Sequence, residues 1–129
     1  GGSLQARLRF PLSVVEAVRE AWPDAKPFGV VLQATDWTKG GLELEDAFVI
    51  ADALKSRSID IVAPVAGGID GPEDREDVHG LANFSDEIRN EVGIATMATV
   101  QATTFDEINT LVSTGRADLC TYYGPPREL

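Results

Sequence analysis

Residues 27–35 read "PFGVVLQAT", a short apolar run that opens at Pro27 and gives way to the polar Asp36. Its length suits a strand better than a helix. An apolar run that is continuous rather than alternating marks a strand buried on both faces. The neighbouring segments supply the layers such a strand needs. Upstream, residues 11–22, "PLSVVEAVREAW", place Leu12, Val14, Val15, Val18 and Trp22 at helical spacing, with Pro11 near the first turn. Downstream, residues 44–58, "LEDAFVIADALKSRS", read as a helix with acids in its first turn and Lys55 and Arg57 near its end.

The alternation continues along the chain. Residues 59–68, "IDIVAPVAGG", form a second buried strand, and the polar residues 69–83 a long loop. Ser85 is placed to cap a short helix over residues 86–92. Residues 93–102, "GIATMATVQA", make the third strand. Residues 104–115 read as a helix capped by Thr103 or Thr104 and closed by Gly115, and residues 117–123, "ADLCTYY", as the fourth strand. Strands that alternate with helices require a parallel sheet with helices on its faces, here within one domain over residues 1–129. Two α/β folds satisfy that order: a small doubly wound open sheet, or half of a (β/α)8 barrel. "VAGGIDG", residues 65–71, lacks the glycine spacing and following helix of a nucleotide-binding loop. The pattern leaves the two folds equal.

Composition narrows the partners. The 129 residues carry a formal charge of -10, with 21 acids against 11 bases and no basic cluster, which argues against nucleic acid and anionic membranes. No apolar run approaches the ~20 residues of a bilayer span. The one cysteine, Cys120, excludes an internal disulfide and a Cys-rich zinc site, and the cytoplasm is the expected compartment. The chain opens without Met and without a signal-peptide pattern, so a processed chain or a piece of a longer one is expected. His79 is the only histidine and lacks partners at ligand spacing, so no metal site is expected. Cys120, between Leu119 and Thr121, suits a small apolar filler, and Asp60 and Asp118, just ahead of their strands, suit structural roles.

Specific residues separate the two folds. "GGSLQARLRFPLSVVEAVREAWP", residues 1–23, resembles a segment of the Old Yellow Enzyme family of FMN-dependent NAD(P)H oxidoreductases that usually reads G-G-S-x-E-N-R-x-R-F. Gly1, Gly2, Ser3, Arg7, Arg9 and Phe10 match, while Gln5 and Ala6 depart from it. Residues 34–54, "ATDWTKGGLELEDAFVIADAL", look like the stretch after that family's fifth barrel strand. "FSDEIRNEVGIATMA" and "GRADLC" resemble its seventh strand and the approach to its eighth, in wording near the reductase part of aminobenzoyl-CoA and salicylyl-CoA bifunctional flavoenzymes. The resemblance implies half of a TIM (β/α)8 barrel: four parallel strands, numbers five to eight, with four helices. It also implies that the family's catalytic side chains belong to the other half, so no catalytic residue is assigned in this chain.

The resemblance further implies where FMN would be touched. Barrel sites form at the carboxyl ends of the strands. An Arg usual on the family's fifth strand is replaced by Val31, which neither donates nor carries charge. A Gly beside the FMN phosphate on the seventh is replaced at Val100 and Gln101. The Gly or Ala and Arg that end the eighth are replaced by Tyr123 and Gly124. These substitutions sit on one functional surface, and together they read as lost or redirected cofactor binding. Three functions compete. The first is the C-terminal half of an FMN-dependent oxidoreductase, inactive in isolation and completed by a missing N-terminal half-barrel. The second is a cofactor-free half-barrel that self-associates as a homodimer. The third is a small-molecule binder using Gln33, Gln101 and the tyrosines.

Overall fold

A computed structural model describes residues 2–67, 78–100 and 104–122. Helices and strands alternate: α1 Leu4–Ala21, β1 Gly29–Thr35, α2 Leu44–Lys55, β2 Ile61–Ala66, α3 Val78–Val92, β3 Ala95–Val100, α4 Phe105–Ser113 and β4 Leu119–Tyr122. The strands lie in chain order, β1-β2-β3-β4, all parallel. The expected four-strand, four-helix half-barrel is therefore the observed fold.

Two helices begin earlier than their sequences suggest. Ser3 caps α1, accepting from the Ala6 amide at 3.3 Å, so Pro11 lies inside the helix rather than near its first turn. There it removes a backbone donor that would otherwise bond the Arg7 carbonyl. Helix α3 starts at Val78, inside what reads as a polar loop, and Ser85 is a fully buried mid-helix residue instead of a cap. Its small side chain shares a buried face with Ala82 and Ile88, and its carbonyl accepts from the Thr96 hydroxyl at 3.3 Å. Thr104 caps α4 as expected, with Glu107 completing a capping box.

The strands are not buried on both faces. Along β1, Leu32 and Ala34 are buried against the helices, whereas Val31 is 69% exposed on the opposite face. The main core joins Leu32, Ala34 and Val62 to Ala47, Ala51 and Leu54 of α2 and Ile88 of α3. A smaller core, with Ala98, Val100, Ala117 and the half-buried Cys120, lies beneath α3 and α4. The other sheet face, which carries Val31, Gln33, Ala63, Val65, Met97 and Leu119, has no layer of its own among the described residues. A continuous apolar run looks the same whether its second face is covered by its own chain or by something else.

The half-barrel is built from two similar units, α1–β2 and α3–β4. In the first, the Asp60 carboxylate accepts from the Phe28 amide at 2.7 Å, while the Asp60 amide donates to the Phe28 carbonyl at 3.0 Å. In the second, Asp118 accepts from the Thr96 amide at 2.9 Å and donates its own amide to the Thr96 carbonyl at 2.9 Å. An Arg from each unit's first helix reaches that Asp: Arg19 at 3.6 Å and Arg89 at 3.0 Å. Each Arg also donates to a carbonyl in the turn ahead of the second strand, Ser58 at 3.3 Å and Gly115 at 2.9 Å. Both turn residues have positive φ, 60° and 73°. A second ion pair repeats as well, Glu16 with Arg57 and Asp86 with Arg116.

Candidate functional site

The carboxyl ends of the strands hold the features that sequence reasoning assigned to chemistry. Val31 is on the open sheet face in mid-β1, paired with Ala63 of β2. Its neighbour on that face, Gln33, donates both amide hydrogens within the protein, to the Thr35 carbonyl at 2.8 Å and the Gly67 carbonyl at 2.7 Å. Gln33 therefore ties two strand ends together. It has no donor left for a ligand, which weakens the small-molecule reading that depends on it. The β1–β2 register slips between Gln33 and Thr35, a bulge that re-aims the chain where β1 leaves the sheet.

Beyond the bulge the chain makes a closed loop. The Asp36 amide donates to the Leu42 carbonyl at 3.0 Å, and the Leu42 amide donates back to the Asp36 carboxylate at 2.8 Å. Gly41 fits under Asp36, where an added Cβ would meet the Asp36 side chain at 2.8 Å. Trp37 is held in the left-handed region, φ 52°, with 43% of its surface exposed. A bulky residue in that conformation costs on the order of 1–3 kcal/mol and persists only where its surroundings fix it. Backbone strain leaves no signature in sequence unless Gly or Asn stands at the position.

The remaining assigned positions are spread apart. Val100 ends β3 with its side chain in the smaller core, 3% exposed, so it packs beneath the helices rather than facing the open side. Gln101, Tyr123 and Gly124 lie outside the described residues. Tyr122 is half-buried at the end of β4, paired with Val100. Burial pushes the Cys120 thiol up from its ordinary value, which opposes a nucleophilic role and suits a filler. Among the described residues no group of His, Cys, Asp and Glu could hold a metal ion, and no helix is long and apolar enough to cross a membrane. The side chain of His79 is outside the described set.

At the opposite end of the sheet the electrostatics are strong and structural. The Arg89 guanidinium grips Asp118 through Nε and Nη2 at 3.0 and 3.2 Å. Its hydrogen bonds hold the Asp118 carboxyl below the usual carboxylate range, with the Thr96 amide adding to the effect; Asp118 in turn raises Arg89. In a parallel barrel this is the stability end, away from the reacting face.

No family model matches the chain. Curated relatives do. The NADPH dehydrogenase of Listeria innocua is 32% identical over 119 residues, 92% of this chain and 35% of its own. That of Geobacillus sp. is 31% identical over 92% of this chain and 34% of its own. The resemblance to the Old Yellow Enzyme family thus extends over nearly the whole of this chain. It spans about a third of the length of the curated relatives it matches. A solved 2-naphthoyl-CoA reductase in complex with 2-naphthoyl-CoA superposes with a TM-score of 0.84 at 22% identity, over 95% of this chain and 19% of that one. The N-acetylneuraminate lyase of Fusobacterium nucleatum gives 0.58 at 10% identity, over 86% and 35%. These structural likenesses concern the barrel fold alone.

The family's flavin makes definite demands on this surface. A reduced ring favours a cation at the β1 position, and a phosphate needs donors at the ends of β3 and β4. Val31 offers neither charge nor donor, Gln33 is committed, and the Val100 side chain points into the core. Thr99 and Thr121, the other polar residues here, are neutral, and none of the described strands carries a Lys or Arg. Among the described residues, then, Val31 does not supply the cation that a reduced ring favours, and the strand ends at Gln101, Tyr123 and Gly124 lie outside the described residues.

Proposed function

We propose that the chain is the second half of the barrel of an NADPH-dependent, FMN-type oxidoreductase, and that alone it neither retains FMN nor oxidises NADPH. The observation that carries the reading is relatedness to NADPH dehydrogenases over 92% of the chain, far more than a shared motif would span. The four-strand architecture agrees with it, because such a unit supplies half of an eight-strand wall and half of the strand ends. The uncharged Val31 surface supports the second clause. A cytoplasmic setting accords with the single cysteine and the acidic charge.

Two measurements test the proposal. After incubation with FMN and desalting, the 129-residue chain should show almost no flavin absorbance; retention near one FMN per chain would overturn the claim of isolated inactivity. Residues 1–129 can also replace the matching segment of the Listeria innocua NADPH dehydrogenase. The graft should fold as a barrel and hold FMN weakly, and Val31→Arg should tighten FMN at least tenfold by restoring a cation at the ring. A graft that fails to fold would sink the half-barrel assignment itself.

A further inference from the structure

The four strands are not joined evenly. β1 and β2 pair from Gly29 with Ile61 to Gln33 with Val65, and again at Thr35 with Ala66. β3 and β4 pair from Met97 with Leu119 to Val100 with Tyr122. Between these ladders, β2 and β3 are joined only where Ile61 meets Ala95 and Val62 meets Thr96, both near the amino ends. Residues 63–66 of β2 and 97–100 of β3 continue past the last pair, so the ladder stops inside both strands rather than at an end of either.

The sequence supplies the reason. β2 reads "IVAPVA", and its Pro64 is fully buried in a strand with a neighbour on each side, where proline is rarely found. Pro64 and Leu32 are partners across β1 and β2, yet proline has no N–H. That pair is therefore held through the groups of Leu32, and the backbone of Pro64 turns to its other neighbour, β3, as alternate residues of a parallel strand do. On that side the next rung in register would run from residue 64 to the Met97 carbonyl. Proline cannot donate it, and the ladder ends there.

Toward the carboxyl ends each strand is fastened within its own unit instead. Gln33 donates to the Thr35 and Gly67 carbonyls, and the Gly67 amide donates to the Thr35 carbonyl at 3.0 Å, which draws the end of β2 to β1. The end of β3 is held by its pairs to β4. Among the described residues, the side-chain hydrogen bond that crosses the seam runs from Lys55 to the Val92 carbonyl at 2.9 Å. It joins the last turns of α2 and α3, again at the amino end of the sheet. In the helix layer the units meet through apolar side chains, Leu54, Ile88 and Ile94 among them. Such packing is non-directional and slides without breaking a hydrogen bond.

We propose that the β2–β3 seam is a hinge. The units α1–β2 and α3–β4 move as two bodies that pivot on the amino-end rungs and separate at the carboxyl ends, the reacting end of a barrel. Pro64 sets how far the pivot reaches, because it is the residue at which pairing stops. A ligand that touches both units at that end selects the closed arrangement, whereas one confined to a single unit leaves the equilibrium unchanged. The hinge does not depend on the reductase reading, since it rests on strand pairing and not on flavin chemistry.

Distances between spin labels on the 129-residue chain test it, in a Cys120→Ala background that removes the native thiol. One pair, Glu45→Cys with Asp106→Cys, marks the exposed starts of α2 and α4 at the carboxyl end. The other, Ser56→Cys with Ser113→Cys, marks the exposed ends of the same helices at the amino end. The distance distribution of the first pair should be about twice as broad as that of the second. Pro64→Ala and Pro64→Val, the second closer to proline in volume, each supply the missing N–H. Either should narrow the first distribution and leave the second as it was. Equal widths at the two ends would overturn the proposal. So would a broad carboxyl-end distribution that neither Pro64 variant narrows, because the motion would then lie outside the seam.

Discussion

The two ends of the sheet are made differently. At the amino ends, Asp60 and Asp118 each stitch two neighbouring strands by paired backbone bonds and draw in an Arg from a helix. At the carboxyl ends a bulge, a strained Trp37 and a tight loop hold the chain out of regular structure. Both ends are held by hydrogen bonds, but the amino ends add Arg–Asp ion pairs, whereas the carboxyl end of β1 holds the bulky Trp37 in the left-handed region. The same division separates stability from chemistry in closed barrels. Here it persists although Val31, on the open face of β1, carries neither charge nor donor.

The largest effect that tests the contrast is expected from Asp118→Ala. It strips Arg89 and the Thr96 amide of their acceptor at once. Hydrogen bonds to charged groups contribute about 1.5–3 kcal/mol each, and partial exposure lowers the sum, so urea unfolding should show a loss on the order of 2 kcal/mol. A loss below about 0.5 kcal/mol would remove the amino-end clamp from the account. Acid sharpens the same point. The Asp118 pKa is lowered on folding, so its stabilisation is complete above the ordinary carboxylate value near 3.9 and fades as pH falls through the folded value. The stability gap between wild type and Asp118→Asn should therefore be constant from neutral pH to about 5 and shrink below about 4.

A smaller loss, about 1 kcal/mol, is expected for Asp60→Ala, whose Arg partner stands farther off, at 3.6 Å, and whose main bond is to one amide. Equal losses at the two positions would mean that the repeated clamps are equivalent despite their geometry. The smallest change, and the only one of opposite sign, belongs to the carboxyl end. Trp37→Asn replaces a bulky residue at φ 52° by one that tolerates that region, and should raise stability by about 0.5 kcal/mol. A clear destabilisation would show that Trp37 contacts outweigh its strain, and that the two ends differ less than their backbones suggest.

Much of the architecture was legible beforehand because its signals are local. Apolar spacing at 12, 14, 15 and 18, the Thr104 cap and the closing Gly115 each act within a turn or two. The early start of α3 was not legible, since the polar run before Ala82 conceals a helix that is secured by burial of Ser85 and Ile88 from elsewhere in the chain. Of the candidate site, resemblance put Val31 on the family's fifth strand, and only the folded chain shows it exposed on one face of β1. Resemblance could not tell that Val100 turns its side chain into the core, because a strand residue's face depends on register with its neighbours.

By itself, then, the sequence determined the order of helices and strands, their parallel arrangement and the uncharged character of the strand surface, all of which follow from residue type and short spacing. Tertiary structure alone decided that one sheet face carries no layer among the described residues, that Gln33 is spent on two strand ends, and that two dissimilar sequences build the same Arg–Asp clamp. Arg19 meets Asp60 and Arg89 meets Asp118 across intervening helices and strands. Contacts at that separation carry no periodic signature, and only the folded chain brings their charges within reach.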